Sequence, residues 1–207
     1  MEEQALLQAA KQGDVTAFNE IVLQYQDLAY GVAYRILREP QTAADATQNA
    51  FISAYRKLEQ LSGQNFKGWL LRIVTNTCYD ELRRRKRHPE ASLDGILEDS
   101  NGDTLPIGSD EENTMMAPVE GPELAAHRRE LQTAIESCLQ KLNDAYRIVA
   151  VLVDVEGMSY EEAAQIAEVS LGTVKSRVSR ARAQLRDCLR TYGELLPGRY
   201  RLEDESN

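Results

Sequence analysis

Histidine and cysteine are scarce in this chain. It has two histidines, His88 and His127, and three cysteines, Cys78, Cys138 and Cys188. No Ser, Cys or carboxylate pattern near either histidine indicates a nucleophile with its base. The cysteines lie 50 or more residues apart, each in a helical apolar pattern, without a nearby Cys or His to complete a pair of metal ligands. We therefore predict three reduced core thiols, no catalytic residue, no metal and no cofactor.

Long apolar runs are also missing. The longest, residues 148–153, is far too short to span a membrane, and the N-terminus opens with Met-Glu-Glu instead of a basic, apolar leader. With 207 residues, of which 43% are hydrophobic, the chain can bury the core of one large domain or two small ones. These features predict a cytoplasmic protein without membrane insertion.

Basic residues are absent from residues 91–123, which carry nine acidic ones. The net formal charges of 1–90, 91–123, 124–192 and 193–207 are +1, −9, +1 and −2, so this stretch alone matches the −9 of the whole chain. It is rich in Pro and Gly and shows no sustained periodicity. We predict a flexible acidic linker at 91–123 between two domains, 1–90 and 124–192, and a polar tail at 193–207.

Apolar residues recur at helical spacing before the linker, and no stretch alternates as a strand would. Gly13-Asp14 offers the N-cap of a first helix that ends before Pro40. A second helix is predicted to begin near Thr42, and a third to cover about 65–87. The predicted inward face of the second helix comprises Thr47, Ala50, Phe51, Ala54, Tyr55 and Leu58.

After the linker, two helices precede a helix-turn-helix pattern. Their apolar faces include Leu124 and Ile135 in the first and Val155 in the second, which ends at Gly157. Ser159 with Glu162 forms an S-x-x-E capping box, and Ser170 can cap the final helix. Two short helices joined by a turn of three or four residues make a helix-turn-helix. The predicted fold class is all-α, with two small helical domains.

The final helix has a cationic face opposite its apolar one, with six Lys or Arg from Lys175 to Arg190. The predicted buried stripe is Leu171, Val174, Val178, Ala181 and Leu185. The opposite side carries Gly172, Thr173, Ser176, Ser179 and Arg180, flanked by Lys175, Arg177 and Arg182. The cations would contact phosphates, while Thr173, Ser176 and Arg180 could reach base edges. A charge run alone is typical of a solvated face, but behind a helix-turn-helix it predicts DNA binding.

A second polar stripe runs along the helix at about 65–87. Arg72, Asn76, Tyr79 and Arg83 follow one another at spacings of four, three and four, which places them on one face. A cation, an amide and a ring on one face can hold phosphates and stack or hydrogen-bond exposed bases, as single-stranded DNA binding requires. An ordinary polar face with a basic end is the alternative, and the stripe alone leaves both open.

Together these stretches resemble an extracytoplasmic function (ECF) sigma factor, the smallest class of the bacterial sigma-factor family that directs RNA polymerase to promoters. The resemblance covers about residues 5–87 and 124–190. Its strongest parts are 44-ADATQNAFISAYRKL-58, 66-FKGWLLRIVTNTCYDELRRR-85, 156-EGMSYEEAA-164 and 172-GTVKSRVSRARAQL-185.

The resemblance implies three binding surfaces. The helix at 44–58 looks like the surface that grips the coiled coil of the polymerase beta-prime subunit, which assigns core-polymerase binding to Asp45, Gln48, Asn49 and Arg56. The loop 62–66, with Asn65, resembles the one that captures a flipped minus-ten base, and the next helix resembles the strand-opening surface, with Arg84 beside the stripe. The final helix would enter the major groove at the minus-thirty-five element.

The same resemblance implies core RNA polymerase, promoter DNA and an anti-sigma factor as partners, and no catalytic role. The linker would then be either a solvated tether or a nucleic-acid mimic inside the polymerase. Four positions depart from the usual pattern: Ala46 and Ala167 replace a common Leu, Asn143 a frequent Pro, and Glu168 a Gly in the turn. Because Gly adopts positive φ cheaply, Glu168 leaves the turn geometry open.

Two alternatives remain beside this interpretation. A two-domain helix-turn-helix transcription regulator would need a ligand pocket or phosphoacceptor site within 1–90, and we find no such constellation. An interaction protein that binds polymerase without reading promoters is disfavoured by the intact 172–182 face. The pattern leaves open how the two domains sit relative to each other.

Overall fold

The computed structural model describes residues 2–61, 65–87 and 122–195. In these ranges the chain is almost entirely helical and has no strand. The helices are α1 (Glu2–Lys11), α2 (Val15–Leu37), α3 (Pro40–Lys57), α4 (Phe66–Arg87), α5 (Pro122–Lys141), α6 (Asp144–Ala150), α7 (Tyr160–Ile166) and α8 (Leu171–Leu189). Short turns extend three of them, as 3-10 helix at Leu58–Gln60 and Arg190–Leu195 and as π-helix at Val151–Val155. The predicted linker lies outside the described residues up to 121, and so does the tail from 196 onward.

The N-terminal lobe consists of α1 to α4, with α2 packed against the other three. Asp14 caps α2 as predicted, because its carboxylate accepts the N–H groups of Thr16 and Ala17 at 2.9 and 3.1 Å. Helix α3 begins at Pro40, two residues before the predicted start at Thr42. Pro40 occupies the first turn of α3, where its missing N–H costs nothing. Helix α1 was not anticipated.

Apolar side chains from α2, α3 and α4 meet in the core of this lobe. Ile21, Val32, Ile36, Leu70 and Val74 are all 0% exposed. The predicted inward residues of α3 are buried as expected, except one: Tyr55 is 41% exposed, with its ring tilted against that of Phe18 at 4.9 Å between centroids.

The C-terminal lobe consists of α5 to α8, with α8 packed against α5, α6 and α7. Gly157 follows the π-helical turn with φ of +69°, so the helix ends where predicted. Three residues assigned to apolar faces are in fact exposed: Leu124 by 56%, Ile135 by 38% and Val155 by 41%. Val155 lies in the π-helical turn, whose wider winding departs from the 3.6-residue period used to assign its face.

The two lobes pack against each other through a shared apolar cluster. Ile148, Val149 and Leu152 of the C-terminal lobe are 0% exposed and belong to the same cluster as the core of α2 and α4. Ion pairs surround this contact, with Lys67 Nζ 3.5 Å from Glu156 and Lys86 Nζ 3.2 Å from Asp144. The described chain is therefore closed, with one lobe covering part of the other.

Arg147 of α6 joins the lobes at the centre of this contact, where it is 1% exposed. Its Nε donates to the carbonyl oxygen of Ile36 in α2 at 3.0 Å, and its Nη1 donates to that of Leu142 at 2.8 Å. The carboxylate of Asp144 accepts from Nη2 and balances the charge. Because a buried guanidinium is costly unless its N–H groups are bonded, these partners hold α6 against α2.

The prediction of three reduced core thiols was wrong for two of the cysteines. Cys138 of α5 and Cys188 of α8 form a disulfide bond. Only Cys78 is free and buried as expected. The helical period placed Cys78 and Cys138 in the core correctly, whereas Cys188 is only half-buried. The period carries no information about which helices are neighbours. Among the described residues no helix is long and apolar enough to cross a bilayer.

Candidate nucleic-acid and polymerase interfaces

The helix-turn-helix is shaped by two predicted caps and one residue with positive φ. The Oγ of Ser159 accepts the N–H of Glu162 at 3.1 Å, while the Glu162 carboxylate accepts the N–H of Ser159 at 3.0 Å. The Oγ of Ser170 accepts the N–H of Thr173 at 3.1 Å and starts α8. Between them Glu168 has φ of +52°. The turn thus keeps the left-handed conformation that Gly adopts freely, at a cost of about 1–3 kcal/mol for a residue with a Cβ.

Helix α8 presents its predicted DNA-reading face to solvent. Exposed are Gly172, Lys175, Ser176, Ser179, Arg180 and Arg182, while Thr173 and Arg177 are half-buried. Of the predicted buried stripe, Val174, Val178 and Ala181 are buried, whereas Leu171 and Leu185 are only half-buried. The face is therefore in the phase that major-groove binding would require.

Several polar groups on this face already have partners. Arg182 forms an ion pair with Asp154 of the π-helical turn, with 3.1 Å between Nε and Oδ1, and this bond raises the pKa of the guanidinium. Arg180 donates to the hydroxyl of Tyr146 at 3.3 Å. Lys175 forms no ion pair within the part of the chain that the structure describes. Lys175 is thus free to meet a phosphate, whereas Arg182 must first leave Asp154.

The predicted stripe of α4 faces the C-terminal lobe. A cavity of about 480 Å³ separates the two, and Asn76, Tyr79 and Arg83 line it together with Glu168 and Arg177. Burial raises the pKa of the Tyr79 phenol, and the positive charges of Arg177 and Arg83 partly offset this effect. In the closed chain the C-terminal lobe therefore covers this face of α4, which lines a cleft between the two lobes.

The other predicted minus-ten residues are spread over different sides of the lobe. Arg72 is exposed on α4. Asn65 caps α4 by accepting the N–H of Gly68 at 2.9 Å, and its amide donates to Glu162 of the C-terminal lobe at 3.2 Å. Residues 62–64, part of the loop predicted to capture a base, lie outside the described residues. Asn65 must therefore release Glu162 before its amide can contact DNA.

Arg84 lies apart from this stripe. Its guanidinium holds both carboxylate oxygens of Glu81, at 2.8 and 2.9 Å. It lines a cavity of about 530 Å³ on the α3 side of α4, together with Asp45 and Asn49. The structure thus groups Arg84 with residues assigned to polymerase binding instead of those assigned to DNA.

The four predicted polymerase-binding residues are all exposed on α3, but they form two pairs. Asp45 and Asn49 face α4. Gln48 and Arg56 line a separate groove of about 750 Å³ between α2 and α3. The four residues therefore do not lie on one continuous surface of α3.

The groove between α2 and α3 contains apolar residues that sequence reasoning missed. Val15, Ile52 and Tyr55 line it and are 54%, 43% and 41% exposed. Exposed apolar side chains grouped in a groove are typical of a protein-binding surface. Ile52 carried a usable signal, because it is apolar yet follows the buried Phe51 by one residue and so falls outside the buried stripe.

Two family models match the chain, Sigma-70 region 2 over residues 21–88 and Sigma-70, region 4 over residues 132–185. The chain is 35% identical to the RNA polymerase sigma-H factor of Pseudomonas aeruginosa, covering 87% of this chain and 90% of that protein. It is 35% identical to the ECF RNA polymerase sigma factor SigW of Bacillus subtilis, covering 89% and 95%. For the ECF RNA polymerase sigma-E factor of Escherichia coli K12 the identity is 33%, covering 87% and 90%.

Solved structures also match this chain. The sigma factor RpoE in complex with the anti-sigma factor NepR from Bartonella quintana matches with a TM-score of 0.62 and 27% identity, over 84% of this chain and 98% of that one. CnrH in complex with the cytosolic domain of CnrY matches with a TM-score of 0.59 and 25% identity, over 91% and 97%.

Proposed function

The chain belongs to the ECF family of RNA polymerase sigma factors, and we propose that it binds core RNA polymerase and directs it to a class of promoters. One arrangement supports this function best: a region 2 lobe and a region 4 lobe carry separate, chemically suited faces. In this proposal the chain has no catalytic role of its own, and it acts in the cytoplasm together with the polymerase. An anti-sigma factor would be its regulator, by analogy with the Bartonella quintana RpoE, whose structure was solved in complex with the anti-sigma factor NepR.

We assign core-polymerase binding to the α3 surface. Gln48 and Arg56 border the apolar groove between α2 and α3, so a partner helix can bury Ile52 and Tyr55 while bonding these two polar ends. Burial of such exposed apolar area is favourable at about 25 cal/mol per Å². Asp45 and Asn49, on the other side of α3, would contact a second part of the same partner.

We assign promoter recognition to α8 and α4. In α8, Lys175 and Arg177 would contact phosphates while Thr173, Ser176 and Arg180 face base edges. In α4, Arg72, Asn76, Tyr79 and Arg83 would hold the separated strand by phosphate contacts and stacking.

The two faces can serve one promoter only if the lobes separate. The minus-ten and minus-thirty-five elements are about 25 base pairs apart, which at about 3.4 Å per base pair is about 85 Å of duplex. In the closed chain, Tyr79 of α4 and Arg177 of α8 line one cavity. Residues 88–121 connect the lobes, and a chain of that length can reach about 115 Å when fully extended. We therefore propose that polymerase binding opens the chain.

The decisive experiment reconstitutes the chain with bacterial core polymerase and maps the promoters that the complex transcribes. We expect transcription from a defined set that shares minus-ten and minus-thirty-five elements. Arg56→Glu should weaken polymerase binding without unfolding the lobe, whereas the neighbouring reversal Lys57→Glu, outside the assigned set, is the matched control. Promoter binding by the isolated chain, with no affinity for polymerase, would instead identify a helix-turn-helix regulator.

A further inference from the structure

The disulfide bond encloses the whole DNA-reading unit of the C-terminal lobe. Cys138 lies near the end of α5 and Cys188 near the end of α8, with a sequence separation of 50 residues. The closed loop contains α6, α7 and nearly all of α8. The bond therefore fixes α8, whose outer face carries the candidate base-reading residues, to α5.

Few apolar contacts support the α5–α8 contact besides this bond. The buried cluster there has four members, Leu139, Leu142, Ala150 and Ala181. Most of the other buried apolar residues of this lobe, such as Ile148, Val174 and Val178, belong to the cluster shared with the N-terminal lobe. The position of α5 on α8 thus depends strongly on the covalent link, and more so once the lobes separate.

The three cysteines differ in how a small thiol or disulfide can reach them. Cys78 is 0% exposed, and burial raises the pKa of its thiol to about 12, so it stays protonated and unreactive. Cys138 is 1% exposed, but Cys188 is partly exposed. Arg186 and Arg190 lie within one turn of it, and both pair with Asp187, at 3.5 and 3.6 Å. A small thiol compound can therefore approach the bond from the Cys188 side.

We propose that Cys138 and Cys188 form a reversible redox site that takes low-molecular-weight disulfides of the glutathione type, and that its disulfide form holds α8 in its DNA-binding position. This step rests on the proposed function, which places the chain in the cytoplasm. Glutathione keeps most cytoplasmic thiols reduced, and disulfides formed there are usually transient or redox-sensing. A pair of cysteines in bonding position there is suited to switching and not to permanent cross-linking.

The chemistry is a balanced thiol–disulfide exchange. The Cys188 thiolate attacks one sulfur of oxidised glutathione, which forms a mixed disulfide and releases one glutathione thiolate. The Cys138 thiolate then attacks the Cys188 sulfur and releases the second glutathione. The two protons lost by the cysteines go to the two released thiolates, so two cysteine thiols are oxidised and one glutathione disulfide is reduced.

The first test measures the bond itself in the full chain. The protein is equilibrated in buffers of varied reduced-to-oxidised glutathione ratio, its free thiols are alkylated, and each cysteine is quantified by mass spectrometry. We expect Cys138 and Cys188 to convert together across the series, while Cys78 remains unlabelled until the protein is unfolded. A pair that stays wholly reduced, or wholly oxidised, throughout the series while the protein remains folded would overturn the reversible site.

The second test measures the consequence in reconstituted holoenzyme on a promoter that needs its minus-thirty-five element. Reduction should weaken promoter binding on the order of tenfold, a coupling of ordinary size for linked sites. C78S should respond as the parent does. C138S/C188S should be insensitive to redox state, and any residual response belongs to the polymerase. If that variant does not fold, C138A/C188A provides the same comparison with apolar side chains.

The outcomes separate the two claims. Equal promoter binding by the oxidised and reduced protein would overturn the role of the bond, while leaving the sigma-factor function intact. Absence of promoter-specific transcription in both states would instead contradict the proposed function, and the alkylation series would still report the redox site.

Discussion

The two lobes are stabilised in different ways. The N-terminal lobe has its own extensive apolar core between α2, α3 and α4, with residues such as Ile21 and Leu70 fully buried. The C-terminal lobe has a small cluster of its own, and it shares its larger apolar face with the N-terminal lobe. A disulfide bond and the buried Arg147 supply what its own core does not. The stability of the C-terminal lobe therefore depends on its contact with the N-terminal lobe and on the disulfide bond.

This difference has a consequence for function. Opening the chain on a promoter would expose Ile148, Val149 and Leu152, which are 0% exposed in the closed chain. It would also strip Arg147 of its bond to the Ile36 carbonyl. Because both changes are unfavourable in water, the closed state opposes DNA binding by the free protein. Contacts with polymerase must offset that cost.

The largest expected effect is that of Arg147→Ala, which removes the side chain that joins the two lobes. The substitution removes the largest fully buried side chain at this contact and leaves the Ile36 carbonyl without its donor, whereas Leu142 keeps a bond from Arg38 and Asp144 keeps Lys86. We expect a loss of about 3–5 kcal/mol in the free energy of unfolding. Denaturant unfolding should separate into two transitions, with the C-terminal lobe melting first. Lys175→Ala, an exposed cation on the same lobe, is the control and should change stability by at most about 0.5 kcal/mol. A single transition with unchanged midpoint would mean that the lobes are independent of this contact.

Reduction of the disulfide should come next in size. Removing a cross-link that closes a loop of this length costs about 2–4 kcal/mol. We expect reductant to lower the melting temperature of the C-terminal lobe only, while the transition of the N-terminal lobe stays in place. Thermal unfolding followed by circular dichroism, with C138A/C188A as a redox-insensitive reference, measures this. If reduction lowered the melting temperature of both lobes equally, the disulfide bond would not stabilise the C-terminal lobe in particular.

Arg180→Ala tests whether α8 reads bases, a function assigned to the C-terminal lobe alone. Loss of a base-reading contact should weaken promoter binding by the holoenzyme by about 1–3 kcal/mol, with polymerase binding and stability unchanged. Arg186→Ala removes the same charge from the same helix outside the predicted face, and it should matter less. The measurement is a binding titration on promoters with and without a minus-thirty-five element. Equal effects of the two variants would mean that α8 acts by general charge alone.

Glu168→Gly tests whether the turn carries strain. The φ of +52° suits Gly better than Glu, so we expect the C-terminal lobe to gain about 1 kcal/mol in stability despite the greater freedom of the unfolded chain. Glu161→Gly, inside α7 with ordinary helical geometry, should instead destabilise by a similar amount. Chemical denaturation of both variants decides the point, and a destabilised Glu168→Gly would show that the turn is unstrained.

The ion pairs between the lobes should give the smallest effect. Lys67 and Glu156 lie 3.5 Å apart, with side chains 44% and 7% exposed. A partly solvated pair of this kind contributes about 0.2–1 kcal/mol. Glu156→Lys should open the chain slightly and increase binding of the free protein to a single-stranded minus-ten oligonucleotide. Adding Lys67→Glu should restore the closed behaviour, and failure of this rescue would contradict a specific pairing.

Much of the local structure was predictable from the sequence by itself. The caps at Asp14, Ser159 and Ser170, the end at Gly157 and the buried stripe of α8 all follow from interactions within one or two helical turns. Such contacts involve neighbours in sequence, so residue type and spacing suffice to identify them. Family membership could be recognised for the same reason, because its motifs are short and contiguous.

Only the tertiary structure decided which of these surfaces meet. Sequence spacing did not reveal that Cys138 reaches Cys188, that Arg147 reaches a carbonyl 111 residues away, or that Gln48 and Asp45 face different grooves. These relations depend on how helices pack, and a helical period states which side of a helix is apolar without naming its neighbour. The closed arrangement of the lobes, with its cleft between α4 and α8, arises in the same way from packing between distant parts of the chain.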